Sequence, residues 1–154
     1  WCFPPITTCL IPIHFAMLAD AARLGGLEKY DDVIIKQHPA YPLDDVLAGF
    51  DPPFSYNIST ESMDSLWSFA DVVYCPNPSS IGLEAAWLGV PAIFPSSVNA
   101  LKLDPLYGLP GLEYVTNSDM LVEKLNDPVP VNITEDYFFF DRDLTRWKDF
   151  LEMK

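Results

Sequence analysis

The chain has 154 residues, about half of them apolar, which suits one compact domain with a substantial core. Its net charge of −13, from 22 acidic and 9 basic residues, argues against a surface for nucleic-acid backbone and against attraction to anionic lipid. The charge does not exclude a single nucleotide, because backbone N–H groups at a helix start hold phosphate on an acidic protein too.

The first half of the chain alternates short apolar runs with amphipathic stretches. In chain order we predict a strand at Ile6–Ile13, a helix at His14–Leu24 ended by Gly25-Gly26, a strand at Asp32–Lys36, a helix at Pro42–Gly49 and a strand at Phe54–Ile58. The apolar segment Ile6–Leu18 is shorter than the roughly 20 residues that cross a bilayer. We therefore predict no transmembrane helix.

The second half continues the alternation. We predict a helix capped by Ser62, with Met63, Leu66, Trp67 and Phe69 towards the core. It is followed by a strand at Asp71–Cys75, a helix from Ser79 or Ser80 to about Leu88, and strands at Pro91–Phe94 and Glu113–Val115. Two helices complete the chain, one at Ser118–Leu125 capped by Ser118 and a final one at Asp143–Met153. Gly89 should end the helix that begins at Ser79 or Ser80, and Leu144, Trp147 and Leu151 share helical spacing in the final helix.

Strands that alternate with helices predict an α/β fold: a parallel sheet with helices on both faces, in a single domain spanning residues 1–154. Such sheets bind ligands beyond the carboxyl ends of their strands. Functional side chains are therefore expected just after a predicted strand. The chain begins at Trp1 rather than Met, so we also expect it to be part of a longer protein.

The three cysteines, Cys2, Cys9 and Cys75, form no close pair and no CxxC spacing. They therefore predict neither a disulfide framework nor a metal site, and they favour a reducing compartment. Cys75 ends an apolar run and is predicted to be a buried, inert thiol.

His38 follows directly after the predicted strand Asp32–Lys36. An imidazole there can donate to a phosphate oxygen or a base carbonyl, and it adds a charge when protonated. Pro39 keeps His38 out of the helical conformation and so limits its direction. The alternative is a loop histidine without a role.

A second candidate segment, Pro78–Ala86, joins a predicted buried strand to a helix. Free N–H groups at the helix start form an anion site, and Ser79 and Ser80 add hydroxyl donors. Gly82 would let a ligand approach the first turn closely, and Glu84 could accept hydrogen bonds from ribose hydroxyls. Ordinary helix capping is the alternative.

In this order the two segments resemble the donor-binding half of GT-B glycosyltransferases, which are built from two Rossmann-like halves. Bacterial sialyl- and Kdo-type transferases of surface polysaccharide carry an His-Pro motif and a Ser-Ser or Ser-Thr motif. His38-Pro39 and Ser79-Ser80 match these motifs. Glu84 with Gly89-Val90-Pro91 matches a Glu followed by Gly-x-Pro, which is common in GT-B donor domains.

The resemblance, which covers about Asp31 to Leu125, implies a Rossmann-like sheet and a nucleotide-sugar site. His38, Pro39, Ser79, Ser80, Gly82 and Glu84 would bind the donor, a CMP-sugar in preference to a UDP-sugar, and His38 would also act in catalysis. No metal or other cofactor is implied. The glycan acceptor would bind an N-terminal half, so this chain alone is expected to be inactive. The enzyme would work in the cytoplasm or at the inner membrane face, in capsule or lipopolysaccharide synthesis.

Two other classes of protein remain open. One is a UDP-sugar enzyme similar to UDP-N-acetylglucosamine 2-epimerase, although more catalytic carboxylates and histidines would be needed than the sequence places. The other is a non-catalytic interaction domain, which the acidic surface and the aromatic C-terminal region would suit. An exposed apolar face would also allow self-association.

Further polar residues are weaker candidates. His14, at a predicted strand-to-helix junction, could face the cleft, but burial or helix capping is favoured. Lys102 is predicted to be solvated or to neutralise a phosphate. Asn99 and Ser96-Ser97 lie in the same loop as Lys102 and would reach the sugar.

Overall fold

The computed structural model describes residues 4–37, 43–75, 80–96, 106–109, 112, 114–133, 137 and 144–152. Six helices and five strands lie within these residues. In chain order they are α1 (Pro4–Arg23), β1 (Ile34–Lys36), α2 (Asp44–Leu47), β2 (Asn57–Ser59), α3 (Met63–Leu66), β3 (Val73–Tyr74), α4 (Ser80–Leu88), β4 (Ala92–Pro95), β5 (Tyr114–Val115), α5 (Ser118–Asn126) and α6 (Thr145–Glu152).

The predicted first strand is wrong, because residues 6–13 belong to helix α1. A continuous apolar run has no clear period, so its sequence does not separate a buried strand from a buried helix. Two prolines at the start of α1 suit the first helical turn, whose N–H groups need no partner within the helix. The second half of α1 confirms the predicted helix from His14, and Gly25-Gly26 ends it as expected.

All strand pairs of the described residues are parallel, as predicted. β1 pairs with β2, with Lys36 opposite Ser59. A separate three-stranded sheet has the order β3–β4–β5, with Val73 opposite Ala92 and Phe94 opposite Tyr114. Except for β4, the strands are shorter than predicted, and β2 lies closer to the C-terminus than Phe54–Ile58.

Helices cover both faces of the three-stranded sheet, which confirms the α/β arrangement. On one face, α1 and α5 pack against β4 and β5 in a cluster of Leu18, Ala21, Ile93, Val115, Leu121 and Leu125. On the other face, α4 packs against β4 in a cluster of Cys75, Ala85, Ala86, Ala92, Phe94, Leu106 and Val131. Cys75 is therefore buried, as predicted.

Helix α1 also packs against the two-stranded sheet. Phe15 of α1 forms a buried cluster with Ile35 of β1 and Leu47 of α2. The preceding residue of α1 contacts the other sheet, because the Tyr74 hydroxyl of β3 donates to the His14 carbonyl oxygen at 3.1 Å. Adjacent residues of one helix thus contact β1 and β3.

Three details of the predicted helices need correction. The N-cap of α5 is Asn117 rather than Ser118, and its side chain accepts a hydrogen bond from the Met120 N–H at 2.9 Å. Ser62 occupies the N-cap position of α3 without a side-chain cap bond. Phe69, which was expected in the core, is 71% exposed because it lies beyond the end of this short helix.

No helix among the described residues is both long and apolar enough to span a membrane.

Candidate functional site

The predicted site residues lie at two strand ends. Ser80, Gly82 and Glu84 are in α4, which begins five residues after β3. His38 and Pro39, which follow β1, and Ser79 lie outside the described residues. Lys102, Asn99 and Ser97 also lie outside them. The structure therefore describes the α4 part of the site and the end of β1.

The start of α4 presents polar groups at the carboxyl edge of the sheet. Ser80 is its first residue and is exposed, and Glu84 is exposed one turn later. Residues four apart in a helix lie on the same side, so the hydroxyl and the carboxylate project from one surface. The first N–H groups of the helix have no partner within it and favour an anion. This surface is able to bind a phosphate together with neighbouring hydroxyls.

Gly82 packs against the sheet. The space beside it, which was predicted to admit a ligand, is filled by the Phe94 ring. Gly82 is buried, and a Cβ atom built on it would lie 2.5 Å from Phe94 Cε1 of β4. Phe94 itself is almost completely buried and makes an edge-to-face contact with Tyr114. The glycine thus lets the first turn of α4 lie directly against β4.

The segment Gly89-Val90-Pro91 has a structural role at the end of α4. Gly89 has φ of 74°, which favours glycine, and its N–H donates to the Ala86 carbonyl. The Val90 N–H donates to the Ala85 carbonyl at 2.8 Å, which completes a Schellman motif. The Pro91 carbonyl then accepts from the Val73 N–H, which aligns β4 with β3.

Lys36 is a cationic residue that the sequence analysis did not select. It is the last residue of β1, and its ammonium donates to the Gln37 carbonyl at 2.8 Å. Two N–H bonds of the ammonium remain for other acceptors. The Gln37 side chain accepts from the Leu43 N–H at 3.4 Å, so the described residues that flank His38 and Pro39 lie close together. Lys36 could have been identified from the sequence, because it stands at the end of a predicted strand.

A buried histidine and a partly buried tyrosine lie where α1 meets β3. His14 is 4% exposed, and its Nδ1 has no hydrogen-bond partner among the described residues. The prediction that His14 is buried is confirmed. Burial lowers the pKa of His14, which favours the neutral ring in the folded protein. Burial also raises the pKa of the Tyr74 hydroxyl well above its usual range. The hydroxyl therefore keeps its proton and donates it in the hydrogen bond to the His14 carbonyl oxygen.

The buried His14 should make stability depend on pH. In the unfolded chain its pKa returns to about 6.5. The unfolded state therefore binds more protons than the folded state once the pH falls below that value, and stability decreases. Above about pH 7.5 the ring is neutral in both states and has no such effect. We expect the free energy of unfolding to fall between pH 7.5 and 5.5 more steeply in the wild type than in His14→Leu.

Denaturant unfolding at both pH values measures this difference. An equal pH dependence in the two proteins would show that the ring of His14 is not sequestered from water.

Comparisons with protein-family models, with curated proteins and with solved structures found no match to this chain.

Proposed function

We propose that this chain is the nucleotide-sugar-binding domain of a GT-B-type glycosyltransferase, and that its donor is a CMP-sugar. The observation that carries the proposal is the start of α4, where exposed Ser80 and Glu84 project from one surface beyond the parallel strand β3. An anion-binding helix start beside a hydroxyl-accepting carboxylate suits a phosphate joined to a ribose.

The arrangement of the strands supports a Rossmann-like sheet. Each of the two described sheets is parallel, and the consecutive residues His14 and Phe15 of α1 contact β3 and β1. With β1 beside β3, the strand order would be 2-1-3-4-5, a doubly wound order whose crevice opens between the first and third strands. His38 and Ser79-Ser80 follow these two strands, so both motifs would line that crevice.

Each residue then has a defined task. Ser79, Ser80 and the first N–H groups of α4 bind the donor phosphate, and Glu84 accepts hydrogen bonds from the ribose hydroxyls. His38 donates to the phosphate as negative charge develops on the departing nucleotide, which is electrostatic stabilisation of the leaving group. Lys36 supplies a positive charge beside the His38 loop. The acceptor site and the catalytic base belong to another part of the enzyme, so this chain binds the donor without transferring its sugar. The enzyme works in the cytoplasm.

Calorimetric titration with CMP, UDP and GDP tests the proposal. We expect CMP to bind most tightly, and Ser80→Ala and Glu84→Gln to weaken it about 5- to 30-fold, because each removes a hydrogen bond worth about 1–2 kcal/mol. Ser62→Ala and Glu123→Gln are matched controls. Both residues are exposed on other helices, and Ser62 makes no side-chain cap bond.

Lys36→Met and His38→Ala should weaken CMP but leave cytidine binding nearly unchanged, because both side chains are assigned to the phosphate. Lys29→Met is the control for loss of positive charge, because the Lys29 ammonium donates to the carbonyl of Asn126, the last residue of α5. Preference for UDP would favour the epimerase-like alternative. Absence of binding by CMP, UDP and GDP at millimolar concentration would contradict a nucleotide-sugar domain and favour an interaction domain.

A further inference from the structure

Helix α6 carries an apolar face whose side chains are exposed. Trp147 and Phe150 make an edge-to-face contact with ring centroids 6.5 Å apart, yet both side chains are more than 60% exposed. Leu151, one turn after Trp147, is 74% exposed, and Leu144, which lies just before the helix with φ of 55°, is 55% exposed. Large apolar side chains grouped in this way mark an interaction surface rather than scattered surface positions.

The charges that flank this face indicate what would cover it. Lys148 and Glu152 are both exposed and lie one turn apart, so they occupy one side of the stripe formed by Trp147 and Leu151. When two copies of such a helix pack antiparallel, the same sides of their stripes meet. Lys148 of one copy then faces Glu152 of the other, and the reverse pair forms by symmetry.

We propose that the exposed face of α6 binds α6 of a second copy of this chain in an antiparallel, two-fold symmetric pair. Trp147 of each copy packs against Phe150 and Leu151 of the other copy, and the two pairs of Lys148 and Glu152 fix the direction. A symmetric interface of this kind uses the same surface on both subunits. The proposal does not depend on nucleotide binding.

The size of the face predicts a weak, reversible dimer. A fully enclosed aromatic side chain buries about 150–250 Å², so this face offers on the order of 500 Å² per copy. Two copies would bury about 1,000 Å², which lies at the lower limit for specific interfaces. Each copy also carries a net charge of −13 and repels the other at long range. Salt near 0.15 M screens that repulsion beyond about 8 Å but leaves pairs in direct contact effective.

Sedimentation equilibrium at 0.15 M salt, from micromolar to millimolar chain, tests the proposal. We expect the wild type to form dimers in the upper part of this range, and Leu151→Asp to remain monomeric. Lys148→Glu and Glu152→Lys should each weaken the dimer at least several-fold, because each places like charges opposite one another. Glu123→Lys on α5 changes the net charge as Glu152→Lys does and should leave the dimer intact.

Mixing the two charge-reversed chains distinguishes a second copy from every other occupant. The Lys148→Glu chain carries only acidic residues on the flank and the Glu152→Lys chain only basic ones, so their mixture should form a heterodimer at least as strong as the wild-type dimer. A wild type that stays monomeric throughout, or a mixture no stronger than either variant alone, would overturn the proposal. Binding of the monomer to phosphatidylcholine vesicles that Leu151→Asp abolishes would identify a lipid surface as the occupant instead.

Discussion

Replacement of Gly82 by valine is expected to lower the free energy of unfolding by about 3 kcal/mol, because the new side chain enters space that Phe94 already fills. A Cβ atom at this position meets the far edge of the Phe94 ring at 2.5 Å. That ring is 2% exposed and packs against Tyr114, so it has little room to move. Separation of α4 from β4 is the remaining way to relieve the overlap, and it opens the core on this face of the sheet.

Gly82→Ala and Gly49→Ala form a matched pair for this prediction. Alanine adds one carbon in each case, but nothing lies within 4 Å of the Cβ position at Gly49. Alanine favours helix over glycine by about 1 kcal/mol, so a loss of stability at Gly82 would have to exceed that gain. Denaturant unfolding should give a loss of about 1–2 kcal/mol for Gly82→Ala and almost no change for Gly49→Ala.

A double-mutant cycle identifies the residue responsible for the loss. Phe94→Leu shortens the side chain that meets position 82, so Gly82→Ala should cost less stability in that background than in the wild type. Equal costs in the two backgrounds would show that Phe94 does not limit the space at Gly82.

This packing also positions the candidate site. Gly82 is the third residue of α4, two residues after Ser80 and two before Glu84. Its contact with Phe94 sets how closely the first turn of α4 approaches β4. Gly82 was expected to admit a ligand, but its packing instead determines where the Ser80 hydroxyl and the Glu84 carboxylate lie. Gly82→Ala should therefore weaken CMP binding by moving these two groups.

The sequence predicted the fold best where the signals are local. The helices that end at Gly25 and Gly89 stop because each glycine adopts φ above 70°, which a residue with a Cβ rarely does. The short apolar segments before Lys36 and Cys75 form parallel strands, since both flank helical stretches. These features depend on a few neighbouring residues, so they are visible without the structure.

The predictions failed where distant contacts decide the outcome. The apolar run at residues 6–13 suits a strand or a helix, and it continues the helix that packs across both sheets. Nothing near Gly82 in the sequence indicates that Phe94, twelve residues later, fills the space beside it. Ser118 was predicted to be the N-cap of α5, but the residue before it, Asn117, forms the cap instead. The helix start that carries Ser80 and Glu84 was thus predicted from the sequence, whereas the packing of Gly82 against Phe94 was not.

The second large loss of stability is expected on the face of the three-stranded sheet that α1 and α5 cover. Leu121→Ala is expected to lower the free energy of unfolding by about 3–5 kcal/mol, because Leu121 is fully buried between α5, α1 and the strands β4 and β5. Truncation leaves a cavity that these elements do not fill. Leu24→Ala removes the same atoms from a side chain that is more than half exposed, so it should change stability by less than about 0.5 kcal/mol.

Leu121→Ala and Gly82→Ala together test whether packing on one face of the sheet affects stability without affecting nucleotide binding. Leu121 lies in the layer of α1 and α5, whereas Ser80, Gly82 and Glu84 lie in α4 on the opposite face. CMP affinity of the folded Leu121→Ala protein should therefore match the wild type, although its denaturant midpoint falls sharply. Gly82→Ala should instead reduce both stability and affinity, because its packing and the candidate site share one helical turn. Loss of affinity in Leu121→Ala under conditions where it is folded would mean that the α1–α5 layer also shapes the nucleotide site.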